Sequence, residues 1–315
     1  MNRKCLYCYK EITEKDNESD FHRKCSKAFF GNKTVPTIKY TLDEMEDLAK
    51  DVVARSIAVP GVQAKLSMSV LSENKENRLT IVGALGGRYI FKPPNNNFKE
   101  MPANEHLTMR LAEKYGISTV LSSLIRLKSG ELSYITKRVD RNDTTNKIHM
   151  LDMFQILEAF DKYKSSMEKI GKALTNFSSN TGLDKLKLFE ITLFSFLTGN
   201  NDMHLKNFSM INYNGRWILS PAYDLLNVAI VNPDYKEELA LTLEGKRKNF
   251  NKEHFIKFAE DLGLNDKQIK NVFNRFIKNK NTAIEMIKDS FLSKEMQEEY
   301  ISLLEKRYMR INNSL

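Results

Sequence analysis

Apolar positions along the chain change period as they run. In KLSMSVL, Leu66, Met68 and Val70 alternate with polar neighbours, which predicts a strand with one buried face. RLTIVGALGGRYIFKPP predicts two short strands turned at Gly86-Gly87. NEHLTMRLAEKYG shifts to helical spacing, with Leu107 and Leu111 four apart and Gly116 as the stop. SSLIRLKSGELSYITKRVD predicts a hairpin about Ser129-Gly130. Ahead of these, TLDEMEDLAKDVVA predicts a helix that Thr41 and Glu44 open with a capping box. Strands, a glycine turn and one helix in this order predict a small sheet-based lobe.

Beyond Asp140 the helical period takes over. HMLDMFQILEAF and LDKLKLFEITLFSFLTG both carry it. The second is apolar almost all round, so it reads as a buried helix ended by Gly199. FSMINYNGRWILSP predicts a hairpin turned at Asn214-Gly215. Residues 251–312 predict several amphipathic helices. The class expected is α+β, with a cysteine-bearing module over 1–32, a sheet-based lobe over 33–140 and a helical lobe over 141–315. No internal repeat or low-complexity linker interrupts it.

Length and composition narrow the class. The 315 residues suffice for one two-lobed catalytic unit or two modest domains. No apolar run reaches bilayer length, and Asn2, Arg3 and Lys4 lead into Cys5 without a signal-peptide core. A cytoplasmic protein without a membrane partner is expected. The net charge of +9 suits nucleic acid, an acidic protein or a polyanion such as ATP, and does not choose among them. A Lys-rich, Asn-rich composition is basic in any case.

All three cysteines lie within the first 25 residues, and an odd count at one end argues against a disulfide framework. Cys5, Cys8, His22 and Cys25 form C-x₂-C-x₁₃-H-x₂-C. Three thiols and one imidazole on two short knuckles make a closed tetrahedral site for structural Zn²⁺. The plainer reading is three reduced, inert thiols and a surface histidine.

Four further pieces stand in the order that phosphoryl transfer needs. In VPGVQAKLS, Gly61 lets a loop bring backbone N–H groups close to phosphates, with Val62, Gln63 and Lys65 beside it. Lys92 ends a strand in YIFKPP, and Glu105 on the following helix is placed to pair with it. In GNNDMHLKNF, Asp202 and Asn207 have the D-x-x-x-x-N spacing of a kinase catalytic loop, with His204 and Lys206 between them. About twenty residues on, Asp224 follows Tyr223 where such a site needs a second metal-binding carboxylate. Singly these read as a turn, a strand-end lysine, a polar loop and a helix cap. Two carboxylates and an amide together are what an electrostatic phosphoryl-transfer site needs.

VPGVQAKLS, YIFKPP, NEHLTMRLA, KRVDR, GNNDMHLKNFSMI and LSPAYDL resemble the signature blocks of the HipA/HipT-type serine/threonine protein kinase toxins. The resemblance runs from about Ser56 to Asn227. It implies a bilobal protein-kinase-like fold that uses ATP and Mg²⁺. Asp202 is then the catalytic aspartate, Asn207 and Asp224 are the magnesium ligands, and Lys92 is on the phosphates. Lys137 and Val139 fall where the adenine-contacting hinge is expected, and His204 and Lys206 join the nucleotide site. The resemblance further implies a bacterial toxin that phosphorylates a translation-related protein such as an aminoacyl-tRNA synthetase. A HipB-like helix-turn-helix antitoxin is the implied partner, with DNA met only through it, and a HipS-like small partner is a further one. The length suits the compact HipT form. The family's phosphorylated serine or threonine, three residues before the loop glycine, is here Ala58, which leaves Ser56 as the nearby candidate. Two other functions fit parts of the sequence: a small-molecule phosphotransferase, and a zinc-bearing regulatory or nucleic-acid-binding protein without catalysis. The blocks GVQAKLS and GNNDMHLKN favour the kinase over the phosphotransferase, and intact Asp202, Asn207 and Asp224 weigh against the non-catalytic reading.

Overall fold

A computed structural model describes residues 3–12, 19–45, 47–48, 65–73, 76–82, 86–94, 98, 100–142 and 146–312. The predicted loop residues Ser56, Ala58, Gly61, Val62 and Gln63 lie outside the described residues. The chain divides into two compact units. One comprises Met1–His106 with Val120–Thr145, and the other Leu107–Thr119 with Asn146–Leu315.

The first unit is built on a six-stranded sheet of order β1-β3-β2-β4-β6-β5. Its strands are β1 (Thr37–Ile38), β2 (Leu66–Glu73), β3 (Glu76–Ile81), β4 (Tyr89–Lys92), β5 (Ser122–Arg126) and β6 (Leu132–Lys137). Leu66 and Met68 point into the core, as their alternation predicts, and pack with Leu79, Tyr89, Phe91, Ile125 and Ile135. Phe29, from helix α1 (Arg23–Phe30), joins the same core. The hairpin about Ser129-Gly130 forms between β5 and β6. Thr41 and Glu44 make their capping box, with the Thr41 N–H donating to Glu44 Oε2 at 2.8 Å.

The sheet differs from expectation on one point. The strands flanking Gly86-Gly87 are not partners, because β3 and β4 lie on opposite sides of β2. Val82 and Arg88, just beyond β3 and just before β4, donate their N–H groups to the Ser67 and Met68 carbonyls at 2.9 Å each. Gly87 has φ +80° there, and a Cβ on it would stand 2.8 Å from the Met68 carbonyl. The glycine serves a crossing, not a hairpin turn.

The second unit centres on a long buried helix. Helix α2 (Met101–Lys114) enters it from residue 107 on. Tyr115, just beyond, packs on Phe194 and Phe276 and meets the Tyr308 hydroxyl at 2.6 Å. HMLDMFQILEAF is not one helix. Met150–Asp152 is strand β7 and only Met153–Ile156 is helical, as α3. Asp152 ends the strand by capping the turn, its carboxylate accepting from the Gln155 N–H at 2.9 Å. Met150 and Leu151 are held instead by pairing with Ile211 and Met210. Helices α4 (Met167–Phe177) and α5 (Thr181–Thr198) follow, then strands β8 (Ser209–Tyr213) and β9 (Arg216–Leu219). The β8–β9 turn takes Asn214 and Gly215 through φ +52° and +82°, as the Asn-Gly pair predicts. After the short helix α6 (Val228–Val231), α7 (Lys252–Asp261), α8 (Asp266–Lys288) and α9 (Lys294–Asn312) form the predicted helical tail. Among the described residues no helix is long and apolar enough to cross a membrane.

Candidate active site

The loop after α5 is placed by the helix itself. Asp184 in its first turn is fully buried and accepts from Ser178 Oγ and the Leu219 N–H, both at 2.7 Å. This fixes α5 against β9. At the other end Gly199 turns the chain at φ +70°. A Cβ there would stand 2.6 Å from Asn227 Oδ1 and 2.7 Å from Leu303 Cδ2. The left-handed backbone and the crowded side chains favour glycine at this exit, and Asp202 lies three residues beyond it.

The loop is closed on itself. The Asp202 carbonyl accepts from the His204 N–H at 2.8 Å and from Asn207 Nδ2 at 2.9 Å. With its amide nitrogen spent, Asn207 has its side-chain carbonyl oxygen to offer a cation. Tyr223, just before Asp224, is anchored by donating to the Lys206 carbonyl at 3.0 Å and meeting Ser209 Oγ at 2.5 Å. Asp224 itself takes φ +61°, a backbone state uncommon for a non-glycine residue.

His204 lies between Asp202 and Asn207 in the sequence of this loop and is buried. Burial pushes its imidazole below the ordinary value, while the charges of Asp202 and Asp224 pull the other way. Its Nδ1 has no hydrogen-bond partner among the described residues, nor has either end of the fully buried Asn200 side chain. Lys206 is exposed and lays its ammonium over the Phe154 ring, 4.7 Å from the centroid.

Three residues that spacing could not reveal complete the surroundings. The Tyr163 hydroxyl donates to Asp202 Oδ1 at 2.8 Å. Arg247 donates to the Tyr163 carbonyl at 2.5 Å and to Glu237 Oε2 at 3.1 Å. With Asp202 they line a cavity of about 490 Å³ that Tyr235, Asn232 and Val228 also border. Tyr163 and Arg247 stand 39 and 45 positions from Asp202, so no local motif signals them.

In the first unit, Lys92 at the end of β4 meets Glu105 of α2 at 2.6 Å, and both side chains are buried. Lys92 also lies 5.4 Å from the Tyr134 ring centroid. Lys137 and Val139 are partly buried at and just beyond the end of β6, and Lys65 is exposed at the start of β2.

The cysteine module gathers as its spacing predicts. One ligand atom from each of Cys5, Cys8, His22 and Cys25 lies within 4.8 Å of the others. His22 Nε2 pairs with the Glu11 carbonyl at 2.8 Å, which turns Nδ1 to Cys8 Sγ at 3.4 Å and Cys25 Sγ at 3.8 Å. An imidazole oriented by a backbone carbonyl behind it is how metal-ligating histidines are held. As thiols the cysteines share charge unevenly. The Cys5 thiol's hydrogen bond brings Cys8 down to about 7 and, with burial, pushes Cys5 up to about 12. Three soft sulfur donors and one nitrogen fit zinc.

Comparison with known proteins gives the family and the fold. Residues 57–284 match the HipA-like C-terminal domain. A Haemophilus influenzae protein named "Putative kinase" is 25% identical over 288 residues, covering 82% of each chain. The serine/threonine-protein kinase toxin HipA of Shewanella oneidensis is 25% identical over 210 residues. That match takes in 60% of this chain and 47% of the toxin, so the chain spans about half of that relative's length. The fold is shared with the HipA of a solved Shewanella oneidensis HipA, HipB and operator DNA complex. The TM-score is 0.71 at 20% identity, over 87% of this chain and 72% of that one. The family match extends over well over half of the sequence, and the chain belongs to the HipA-like C-terminal domain family.

Proposed function

We propose that the chain is a serine/threonine protein kinase that moves a phosphoryl group from ATP to a protein hydroxyl, as the toxin of a toxin–antitoxin pair. The observation that carries this reading is the closed loop after α5, where Asn207 donates to the Asp202 carbonyl and the charges of Asp202 and Asp224 both act on His204. Asp202 accepts the proton of the attacking hydroxyl. Asn207, through its side-chain oxygen, and Asp224 are the residues that would hold magnesium, and the donor set of one amide oxygen and one carboxylate suits that hard cation. A bound magnesium ion supplies charge neutralisation on the phosphates. Lys92, held by Glu105, carries the positive charge assigned to the phosphates in the first unit. Gly61, Val62, Gln63 and Lys65 are assigned to the phosphate loop, and Lys137 and Val139 to the adenine, on the family resemblance. His204 and Lys206 are assigned to the nucleotide side of the catalytic loop.

The Shewanella oneidensis relatives support the toxin reading, since one is named a kinase toxin and the other was solved with HipB and operator DNA. A HipB-like antitoxin is the proposed partner here, and a translation-related protein such as an aminoacyl-tRNA synthetase the proposed substrate. The cysteine module is proposed to bind one structural zinc ion. Calorimetry with ATP tests the nucleotide reading. Binding that requires magnesium and weakens at least tenfold in Asn207→Ala and Asp224→Ala supports it; binding indifferent to both variants contradicts it.

A further inference from the structure

We propose that Tyr163 is a positioning residue for phosphoryl transfer: its hydroxyl holds one oxygen of Asp202, so that the other faces the acceptor hydroxyl. The inference rests on the reading of Asp202 as the group that takes the acceptor's proton.

Three observations on Tyr163 converge. Its hydroxyl donates to Asp202 Oδ1 at 2.8 Å, which leaves Oδ2 outside that contact. The ring is locked edge-on against His204 of the same loop, with centroids 5.1 Å apart. The backbone is fastened on both sides. The Tyr163 N–H donates to Asp161 Oδ1 at 2.9 Å, and Arg247 donates to the Tyr163 carbonyl at 2.5 Å. The preceding carbonyl, that of Lys162, accepts from the Leu205 N–H at 3.2 Å, which ties this segment to the catalytic loop.

Arg247 is itself fixed. It pairs with Glu237 at 3.1 Å, whose carbonyl accepts from Asn201 Nδ2 at 2.9 Å, one residue before Asp202. Tyr163, Arg247 and Glu237 therefore brace the catalytic aspartate from two segments that share no sequence motif with it. Burial and the Asp202 charge push the Tyr163 phenol well above its ordinary range, so it stays a donor at any working pH. A carboxylate with one oxygen restrained has one orientation in which to meet the proton. Misplacement by about 1 Å costs on the order of a hundredfold in rate.

Tyr163→Phe removes the hydroxyl and keeps the ring on His204. The test has two arms. In the first, the full chain is labelled with carbon-13 at its aspartate carboxyls, and the Asp202 signal is identified by its loss in Asp202→Asn. The donor draws charge from the carboxylate oxygen it touches, so at one fixed neutral pH Tyr163→Phe is expected to move the chemical shift of this signal. An unmoved Asp202 signal overturns the proposal. In the second arm, label from ATP is followed into protein in an extract of the source cell. Tyr163→Phe is expected to lower the rate at saturating ATP by at least tenfold, with the KM for ATP and the melting temperature unchanged, and Arg247→Ala to lower it in the same way. A rate equal to that of the parent protein overturns the proposal. Transfer that survives in Asp202→Asn removes the reading of Asp202, while the Asp202 chemical shift still decides whether Tyr163 holds it.

Discussion

The ammonium of Lys92 lies 2.6 Å from Oε1 of Glu105, and their side chains are only 5% and 2% exposed. β4 and α2 thus bring two charges 13 positions apart into one dry contact. A buried pair contributes little net stability while intact, but removing one partner strands the other. Lys92→Ala is expected to destabilise the fold by roughly 3–5 kcal/mol, measured by denaturant unfolding. Replacing both residues with apolar ones, Lys92→Met with Glu105→Leu, is expected to recover most of that loss while ATP binding stays weak. A Lys92→Ala variant as stable as the parent would show that the pair is not buried in solution.

Gly199→Ala separates two costs. A left-handed backbone costs an L-residue roughly 1–2 kcal/mol, and at Gly199 the new Cβ also overlaps Asn227 and Leu303. Gly215 has φ +82° but open space around it. Gly215→Ala is therefore expected to show the backbone cost alone, and Gly199→Ala clearly more. Equal losses in thermal unfolding would mean that the exit of α5 has room to adjust.

Metal analysis of protein purified without chelator is expected to find one zinc per chain, and none in a Cys8→Ser, Cys25→Ser variant. Binding energy at such a site is folding energy. Chelation is expected to expose the α1 segment to protease and leave the second unit protected. Zinc at background level in the parent protein contradicts the assignment.

Acid stability is expected to depend on Glu238. Burial opposes its charge, but the hydrogen bond from Arg310 at 2.5 Å and the nearby charge of Arg307 hold the carboxyl below the ordinary glutamate value of 4.5. Its folded state then binds protons less readily than the unfolded chain. Stability is fully present above that ordinary value and is lost as pH falls through the folded one. Glu238→Gln is expected to flatten the acid side of the stability curve. An unchanged slope in denaturant titrations below pH 4.5 would remove Glu238 as the cause.

The residues differed in how plainly the sequence announced them. The buried helix, Gly199, the Asn214-Gly215 turn and the zinc-type cluster were readable because periodicity, backbone freedom and ligand spacing are local properties. The lysine–glutamate pair needed only the step from a strand to the next helix. The partners of β2 were not readable, since a link across Gly87 and a hairpin look alike in sequence. The strand at Met150–Asp152 was hidden in a helical pattern, because tertiary pairing with β8 overrode it and Asp152 reset the start of the helix. Tyr163 and Arg247 carry no motif. They line the Asp202 cavity from two segments 84 positions apart, which no local pattern records.

The central reading is phosphoryl transfer to protein with Asp202 taking the proton. The most direct measurement follows label from ATP into protein in an extract of the source cell, with Asp202→Ala as the control. The predicted result is at least one labelled protein band that requires magnesium and disappears in Asp202→Ala. Label that persists in Asp202→Ala, or no labelled protein from a parent chain that binds ATP with magnesium, contradicts it.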